Sequence, residues 1–439
     1  MTKDLTTGSV RSCIIKFAIP LMIGNILTQV YNIVDSYVVG RFISSKALGA
    51  VGTSYSFTTF LYSVIIGLCM GSGVLMAMYF GRKDKVKLQQ TLFLSFLFIG
   101  IITLVINVAL FLIEDGIIEF MNVDSVIFSL TKDYLHIIYF GIIPIFLYHY
   151  CSTVSRSLGN SKAPVFYIGI STIVNIVLDL VFVAVLNWGI KGAAIATLIA
   201  QIIAAAGIMV HVYKEIEVTH LQRENCIFDA RLFKSVLSYS FFTSLQQSIM
   251  NFGILMIQGL VNSFGVLVTS AFSAAVKIDT FAYVPVQDFG NAFATFISQN
   301  KGANEKERIH EGIRFCVMTS SFFSLFLSFI IYNLAPYLMQ IFVSEKEIIT
   351  IGVGYLRIEG AFYIGIGLLF LLYGLYRGIG QAWMSVVLTI ISLGTRVGLA
   401  YLLAPKLGLQ YIWWAIVIGW FLADFTGFTF WKIKKKKYL

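Results

Sequence analysis

Apolar residues occur along this chain in long blocks that polar segments separate. Twelve such blocks recur, at residues 14–40, 48–80, 90–113, 131–154, 164–187, 190–213, 235–262, 266–298, 310–333, 349–376, 384–404 and 411–431. A helix needs about 20 mostly apolar residues to cross the hydrocarbon core of a bilayer. The strict apolar–polar alternation of an outer-membrane barrel is missing from the sequence. The pattern therefore predicts an all-α integral membrane protein with twelve transmembrane helices.

Composition supports this class of protein. The 439 residues are 58% hydrophobic and only 12% charged, and the mean hydropathy is +0.84. A soluble domain carries about 25% charged residues. The five cysteines form no C-x-x-C motif or Cys/His cluster, which disfavours a metal site or a disulfide.

Basic residues indicate how the helices are oriented. If both termini are cytoplasmic, 23 of the 32 Lys and Arg residues lie in inner segments or at the inner ends of blocks, and 6 lie in outer segments or at the outer ends. Such a bias toward the cytoplasmic side is the positive-inside rule. The net charge of +10 is thus a signal of topology, and we expect no nucleic-acid partner. We predict a multi-pass protein of the plasma membrane with both ends in the cytoplasm.

The two halves of the sequence resemble each other at one constant shift in numbering, which we call the repeat shift. This shift aligns Gly81 with Gly302, and it also aligns Tyr134 with Tyr355, Arg156 with Arg377, and Gly159 with Gly380. We interpret the matches as an internal duplication, with chance as the alternative. The predicted organisation is an N-terminal six-helix lobe (1–213), a cytoplasmic linker (214–234) and a C-terminal six-helix lobe (235–439). Six spans return the chain to its starting side, so the two bundles run parallel, related by a pseudo-two-fold axis along the membrane normal.

Polar side chains inside the first half suggest an ion site. Asp35 lies in the first predicted span, Asn175 and Asp179 share a face of the fifth, and Thr197 is in the sixth. All four fall at similar depth in the outer half of the bilayer. Their oxygens suit a proton or a hard monovalent cation such as Na⁺. The alternative is that helix–helix hydrogen bonds satisfy each group separately. We expect no other metal and no cofactor.

The second half carries charges of both signs at membrane depth. Lys277 and Asp279 lie in the eighth predicted span, and Arg357 and Glu359 in the tenth. Residues two apart on a helix do not face each other. We therefore predict pairs between helices, Lys277 with Glu359 or Arg357 with Asp279, in a structural role or as a gate.

Three motifs, in the expected order and spans, carry a family resemblance. The first span, IPLMIGNILTQVYNIVDSYVVGRF, has Pro20 and, well along the same helix, Asp35. The fifth has N-x-x-x-D from Asn175 to Asp179, and the sixth has G-A-A-x-A-T ending at Thr197. Over essentially its full length the chain resembles the MATE family, the multidrug and toxic compound extrusion transporters.

The resemblance implies a site and a hinge. Asp35, Asn175, Asp179 and Thr197 would form the cation or proton site of the first lobe. Pro20 would mark a first helix that is able to bend.

Three further residues are candidates for lining a cavity. The seventh span has Gln246 and Gln247 where one sodium-coupled branch of the family has a glutamate, so a second-lobe ion site of that kind is not expected. Tyr139 either lines the acidic site or packs in the interior.

The resemblance also implies a function. We expect an antiporter, not an enzyme, that uses H⁺ or Na⁺ to export amphipathic, mostly cationic organic compounds by alternating access. Its partners would be these small molecules and the lipid bilayer, and we expect a monomer. The alternative is a lipid-linked oligosaccharide flippase of the same superfamily, in which Lys277, Arg357 and Arg396 would hold a pyrophosphate.

Overall fold

The computed structural model describes residues 4–121 and 123–438, and every regular element in these ranges is helical. The helices of the first half are α1 Val10–Phe42, α2 Ser45–Gly81, α3 Lys85–Leu112, α4 Glu114–Phe120, α5 Ser125–Tyr139, α6 Ile142–Ser157, α7 Lys162–Asp179 and α8 Gly189–Glu215. Those of the second half are α9 Ala230–Asn262, α10 Val266–Gly302, α11 Lys306–Phe342, α12 Lys346–Ala361, α13 Tyr363–Gly378, α14 Ala382–Leu407 and α15 Gln410–Tyr438. The predicted all-helical class is confirmed.

Most of these helices are long and apolar enough to cross a membrane. By length and composition, nine helices among the described residues meet this requirement, or up to eleven if each of two bent helix pairs is one span. Many large apolar side chains are exposed on them, including Phe322 at 75% and Phe425 at 72%, as expected for lipid-facing surfaces. The protein is therefore a multi-pass membrane protein. The predicted number of twelve stays a prediction, because α9, which contains 235–262, does not meet the requirement.

Two predicted spans are broken into two helices. Residues 131–154 fall on α5 and α6, which are bent by 46°, and residues 349–376 on α12 and α13, which are bent by 53°. The apolar pattern predicts one continuous helix for each. Pro144, in the first turn of α6, removes the N–H that would bond to Phe140 at the first break, so that kink has a sequence signal. The second break, at Phe362, has no proline near it.

The repeat shift reappears in the local backbone. It carries the bounds of α2 and α6 onto those of α10 and α13. Residues with positive φ match in the same way: Lys83 with Asn304, Gly159 with Gly380, and Asn187 with Gly408. The same turns therefore recur in both halves, while the symmetry axis stays a prediction.

Contacts between residues divide the chain into two compact units. The first contains Ile23–Ser244, and the second consists of Leu5–Met22 with Leu245–Leu439. These boundaries fall inside α1 and inside α9, and not at the predicted linker 214–234. The predicted lobes 1–213 and 235–439 thus remain a proposal whose edges differ from those of the contact units.

Close packing in the first unit depends on small residues. Gly67 and Gly71 lie one helical turn apart on α2, and a Cβ atom on either would overlap the backbone of α9 at Ser240 and Ser244. Small residues at this spacing let membrane helices approach until their backbones touch. This contact fixes α2 against the first part of α9.

The second unit has an aromatic core. Phe272 of α10 stacks on Trp413 of α15 with ring centroids 5.4 Å apart, and Tyr355 of α12 meets Trp413 edge-on at 4.8 Å. These rings hold α10, α12 and α15 together. In addition, Gly290 and Gly374 let the backbones of α10 and α13 approach each other closely.

Candidate coupling-ion site

Two carboxylates converge inside the first unit. Asp35 of α1 is 7% exposed, and Asp179 at the end of α7 is fully buried. Each carboxylate acts electrostatically on the other. The structure therefore brings together two acids from helices that are far apart in sequence.

The predicted amide and hydroxyl lie beside them. Asn175 of α7 is fully buried and Thr197 of α8 is 5% exposed. The Nδ2 of Asn175 donates to Thr197 Oγ1 at 3.5 Å, and the hydroxyl of Tyr31 lies 3.4 Å from the same atom. These contacts are longer than usual hydrogen bonds, so they hold the groups only loosely.

The two carboxylates lie within hydrogen-bonding reach of each other, and several buried oxygens of this cluster accept from no other described residue. They are Oδ1 of Asp35, Oδ1 of Asn175, and both carboxylate oxygens of Asp179. Buried polar atoms are nearly always hydrogen-bonded, and a group without a partner costs free energy. A proton or a small hard cation would supply what these oxygens lack, since such ions prefer oxygen ligands.

Local backbone geometry at Asp179 is unusual. The α-helical part of α7 ends at this residue, and Leu180–Val185 continue as a π-helix. Such wider turns are rare and occur frequently at functional sites. The apolar sequence LVFVAV has no local feature that predicts it.

Sequence reasoning missed the tyrosines around the two acids. Tyr31 lies one turn before Asp35 on α1, and Tyr134 on α5 is 7% exposed; both phenol groups lie within electrostatic range of Asp35 and Asp179. The spacing of Tyr31 from Asp35 was a usable signal, because residues four apart share a helix face. In the sequence, Tyr134 stands out only as a match between the two halves.

Tyr139 lies in a different part of the first unit. It is fully buried, its ring meets Phe111 edge-on at 5.6 Å, and it interacts electrostatically with Glu114. In the same region, Nδ1 of His136 lies 3.2 Å from Oε2 of Glu114. Of the two alternatives for Tyr139, the contacts are those of interior packing.

The remaining candidates of α1 and α9 are placed as follows. Pro20 is inside α1, just before the boundary between the units at Met22. Gln246 is 2% exposed, and its Oε1 has no hydrogen-bond partner among the described residues. Gln247 is half-buried, and its backbone oxygen accepts from Asn251. The contacts assign neither glutamine to the unit that contains the acidic cluster.

The predicted charge pairs of the second half are wrong. Asp279 is buried, but its partners are hydroxyl groups: Tyr363 donates to Oδ1 at 2.5 Å and Tyr355 to Oδ2 at 3.3 Å. Glu359, 2% exposed, interacts electrostatically with Asp279 and with Arg396. Neither acid forms an ion pair with a described lysine or arginine within 4 Å.

The two cations expected in those pairs are exposed instead. Lys277 has an exposed side chain, and the exposed Arg357 guanidinium lies over the ring of Tyr332, 5.5 Å from its centroid. Burying a cation is costly, and tyrosine hydroxyls satisfy a buried carboxylate without a second charge. The spacing rule correctly separated each cation from its neighbouring acid, but it could not supply the partner.

No group of three or more His, Cys, Asp and Glu side chains comes together in the described part of the chain. The candidate site thus depends on two carboxylates with neutral oxygens.

Comparison with known proteins identifies the family. The family model MatE matches this chain twice, over residues 20–181 and 240–402. The chain belongs to the MatE family. Because one model matches each half, the duplication read from the repeat shift is also a property of the MatE pattern.

Relatives of this MatE chain are named as multidrug resistance proteins. It is 27% identical to the probable multidrug resistance protein YpnP of Bacillus subtilis, over 99% of this chain and 97% of that protein. It is 26% identical to the probable multidrug resistance protein NorM of Thermotoga maritima, over 92% of this chain and 88% of that one.

Solved structures show the same fold. A structure described as the outward-facing conformation of a multidrug resistance MATE family transporter of the MOP superfamily superposes with a TM-score of 0.93. It is 22% identical and covers 100% of this chain and 99% of its own. At this identity the likeness concerns the fold alone. The family match shows separately that the chain belongs to a family whose members are transporters, not enzymes.

Proposed function

We propose that this MatE protein is an antiporter that couples the inward movement of H⁺ or Na⁺ to the export of amphipathic, mostly cationic organic compounds. The observation that carries the proposal is the buried pair of Asp35 and Asp179, three of whose four carboxylate oxygens have no hydrogen-bond donor among the other described residues. A charge at this depth is costly and usually functional. The names of the relatives support multidrug efflux.

The pair gives a simple coupling mechanism. Two carboxylates in low dielectric repel each other, so one proton or one cation stabilises the cluster. Binding of that ion favours whichever conformation holds the acids close together. A ligand shifts a conformational equilibrium only through its different affinity for the two states, and this ion has such a difference. The site then faces the two sides of the membrane alternately.

Asn175 and Thr197 have supporting roles in this proposal. Their oxygens complete the ligands of the ion, and their long mutual contact leaves them free to adjust to it. Pro20, which interrupts the hydrogen-bond ladder of α1, lets the segment that carries Asp35 move relative to the start of the helix.

Reconstituted transport tests the proposal directly. Ethidium movement is measured in proteoliposomes with a pH gradient alone and then with a sodium gradient alone, for the wild type and for Asp35→Asn. We expect Asp35→Asn to fold and to lose gradient-driven transport. The matched control is Asp133→Asn, which removes a half-exposed carboxylate paired with Lys191 at 3.3 Å. Transport by Asp35→Asn at the wild-type rate contradicts the assignment.

The same vesicles distinguish the flippase alternative. A flippase would translocate a lipid-linked sugar across the vesicle membrane and would not transport ethidium. It also needs cations that hold a pyrophosphate, and Lys277, Arg357 and Arg396 remain the residues to replace.

We also propose the finer topology from the sequence. Both termini are cytoplasmic, the two bundles are related by an axis along the membrane normal, and the chain works as a monomer. Labelling of introduced cysteines from each side of intact cells tests the orientation, and the mass of the detergent-solubilised protein tests the oligomeric state.

A further inference from the structure

The second unit holds the segment that precedes α1. Arg308, in the first turn of α11, donates from Nη1 to the backbone oxygen of Gly8 at 2.7 Å and from Nη2 to that of Leu5 at 3.0 Å. Its Nε donates to Oδ1 of Asn300 at 2.9 Å. The N–H of the fully buried Leu5 donates to Oε1 of Gln299 at 2.9 Å. We call these contacts the Arg308 latch.

The first unit holds the segment that precedes α9 in a similar way. Lys87, in the first turn of α3, pairs with Oδ2 of Asp229 at 2.8 Å. The other carboxylate oxygen of Asp229 accepts the N–H groups of Arg231 and Leu232, so that this residue also caps the start of α9. We call these contacts the Lys87 latch.

A buried glutamine strengthens the Lys87 latch. Gln89 is 1% exposed and donates from Nε2 to the backbone oxygens of Val218 and His220, at 3.1 and 3.0 Å. Its Oε1 accepts from Asn225 at 2.6 Å. The whole connection from α8 to α9 is thus tied to the start of α3.

The two latches correspond to each other across the duplication. The repeat shift carries Lys87 onto Arg308 and Gly8 onto Asp229. The cation is kept at the same place in both halves, whereas its partner is a carboxylate in one and a backbone oxygen in the other. Chance does not readily place both ends of two contacts at the shift that already relates the helices.

The division of the chain into units gives the latches a role. The leading segment and first part of α1 are assigned to the second unit, and the rest of α1, with Asp35, to the first. For α9 the assignment is reversed, with the first part in the first unit and the rest in the second. Each latch therefore holds the start of α1 or α9 in one unit, while the far end of the same helix belongs to the other unit.

We propose that the Arg308 and Lys87 latches are matched anchors for the starts of α1 and α9, and that transport requires both to hold. An anchored start prevents α1 from shifting as a whole. Pro20 lies between the Arg308 latch and Asp35, so movement at Asp35 is taken up at Pro20 instead of pulling the leading segment loose.

Two native cysteines report on the latches separately. Cys13 is 3% exposed, and its Sγ donates to the backbone oxygen of Thr7, in the segment held by Arg308. Cys226 is half-buried in the segment held by Lys87 and Gln89. Each is kept as the only thiol in one version of the full chain, in membranes, and its rate of reaction with a maleimide is measured. The cysteines replaced by alanine in both versions are Cys69, Cys151 and Cys316.

The latch variants should act on one reporter each. We expect Arg308→Gln to raise the labelling rate of Cys13 several-fold and to leave that of Cys226 unchanged, and Lys87→Gln to do the reverse. The matched controls are Arg314→Gln on α11 and Lys234→Gln on α9, both exposed, which should change neither rate. Each latch variant should also lower the initial rate of ethidium efflux.

Three outcomes overturn the proposal: unchanged labelling of Cys13 in Arg308→Gln, a rise at both cysteines in either latch variant, or efflux at the wild-type rate despite the expected labelling. Should Arg308→Gln fail to fold, Arg308→Lys is measured in the same way, because lysine lacks the planar fork that reaches two carbonyls and Asn300 together. Cysteine labelling does not depend on transport. The latch proposal can therefore fail while the proposed antiport function stands, and the antiport function can fail while the latches are confirmed.

Discussion

Asp35 of α1 and Asp179 of α7 face each other closely enough for each carboxylate to act on the charge of the other, and both are almost completely buried. Two carboxylates this close are coupled, because a charge on one changes the free energy of placing a charge on the other. On the proposed function, this pair accounts for the carboxylate inside the apolar sequence YNIVDSYVVG.

If the two acids act as one site, their replacements should not add. We expect Asp179→Asn and Asp35→Asn each to abolish ion-driven ethidium transport, and the double variant to be no worse than either. Asp115→Asn, which removes an exposed carboxylate paired with Lys132, should leave transport unchanged. Initial rates in proteoliposomes are the measurement. Residual activity that falls further in the double variant would indicate two independent sites.

The hydroxyl of Thr197 should contribute to ion affinity. Thr197→Val keeps the shape of the side chain but removes the atom that Asn175 and Tyr31 both contact. Leaving buried polar groups without a partner costs about 1–3 kcal/mol, which weakens the apparent ion affinity roughly 5- to 150-fold. The ion concentration at half-maximal transport measures it. Thr197→Ser, which keeps the hydroxyl, should stay close to the wild type, and equal affinities in all three would remove Thr197 from the site.

Tyr363 should stabilise the second unit through Asp279. Tyr363→Phe removes the hydroxyl that donates to Asp279 Oδ1, and we expect a loss of about 1–3 kcal/mol because the carboxylate stays buried. The loss should be smaller when Asp279→Asn is already present. Thermal unfolding in detergent, followed for the two single variants and the double variant, measures this coupling. Strictly additive losses would show that the two groups act separately.

Close contact of α2 with α9 should make Gly71 intolerant of a side chain. Gly71→Ala places a methyl group against the backbone of α9 near Tyr239 and Ser240, and we expect a loss of about 1–3 kcal/mol. Gly52→Ala on the same helix has open space around the new atom and serves as the control. The two variants are compared by their unfolding temperatures. Equal temperatures would mean that α2 and α9 separate without cost.

Acid should open the Lys87 latch and spare the Arg308 latch. The hydrogen bond from Lys87 holds the pKa of Asp229 below its usual value. Stabilisation by Asp229 is therefore fully present above the unfolded pKa of about 3.9, and is lost as pH falls through the lower folded pKa. The Arg308 latch has backbone oxygens in place of that carboxylate.

The pH prediction is checked with dithiodipyridine, a thiol reagent that works in acid. Reaction of Cys226 should accelerate below about pH 4 relative to that of Cys13. Asp229→Asn should remove this acceleration. If both cysteines accelerate together and still do so in Asp229→Asn, the acid acts on the whole fold and not on the latch.

The sequence by itself determined the apolar blocks, the duplication at the repeat shift and the shared face of Asn175 and Asp179. These depend on hydropathy and helix period, which are local properties. It also singled out Asp35, since a carboxylate inside an apolar block is conspicuous wherever the helix packs.

Only the tertiary structure decided which residues become hydrogen-bond partners. Nothing near Asp279 in the chain indicates that Tyr363 satisfies it, and nothing near Arg308 indicates that Leu5 and Gly8 do so. Such contacts depend on which helices become neighbours and on where each side chain points, and many arrangements share one hydropathy pattern. The break between α12 and α13 and the π-helix after Asp179 likewise follow from packing around them, because their own sequences are compatible with a continuous helix.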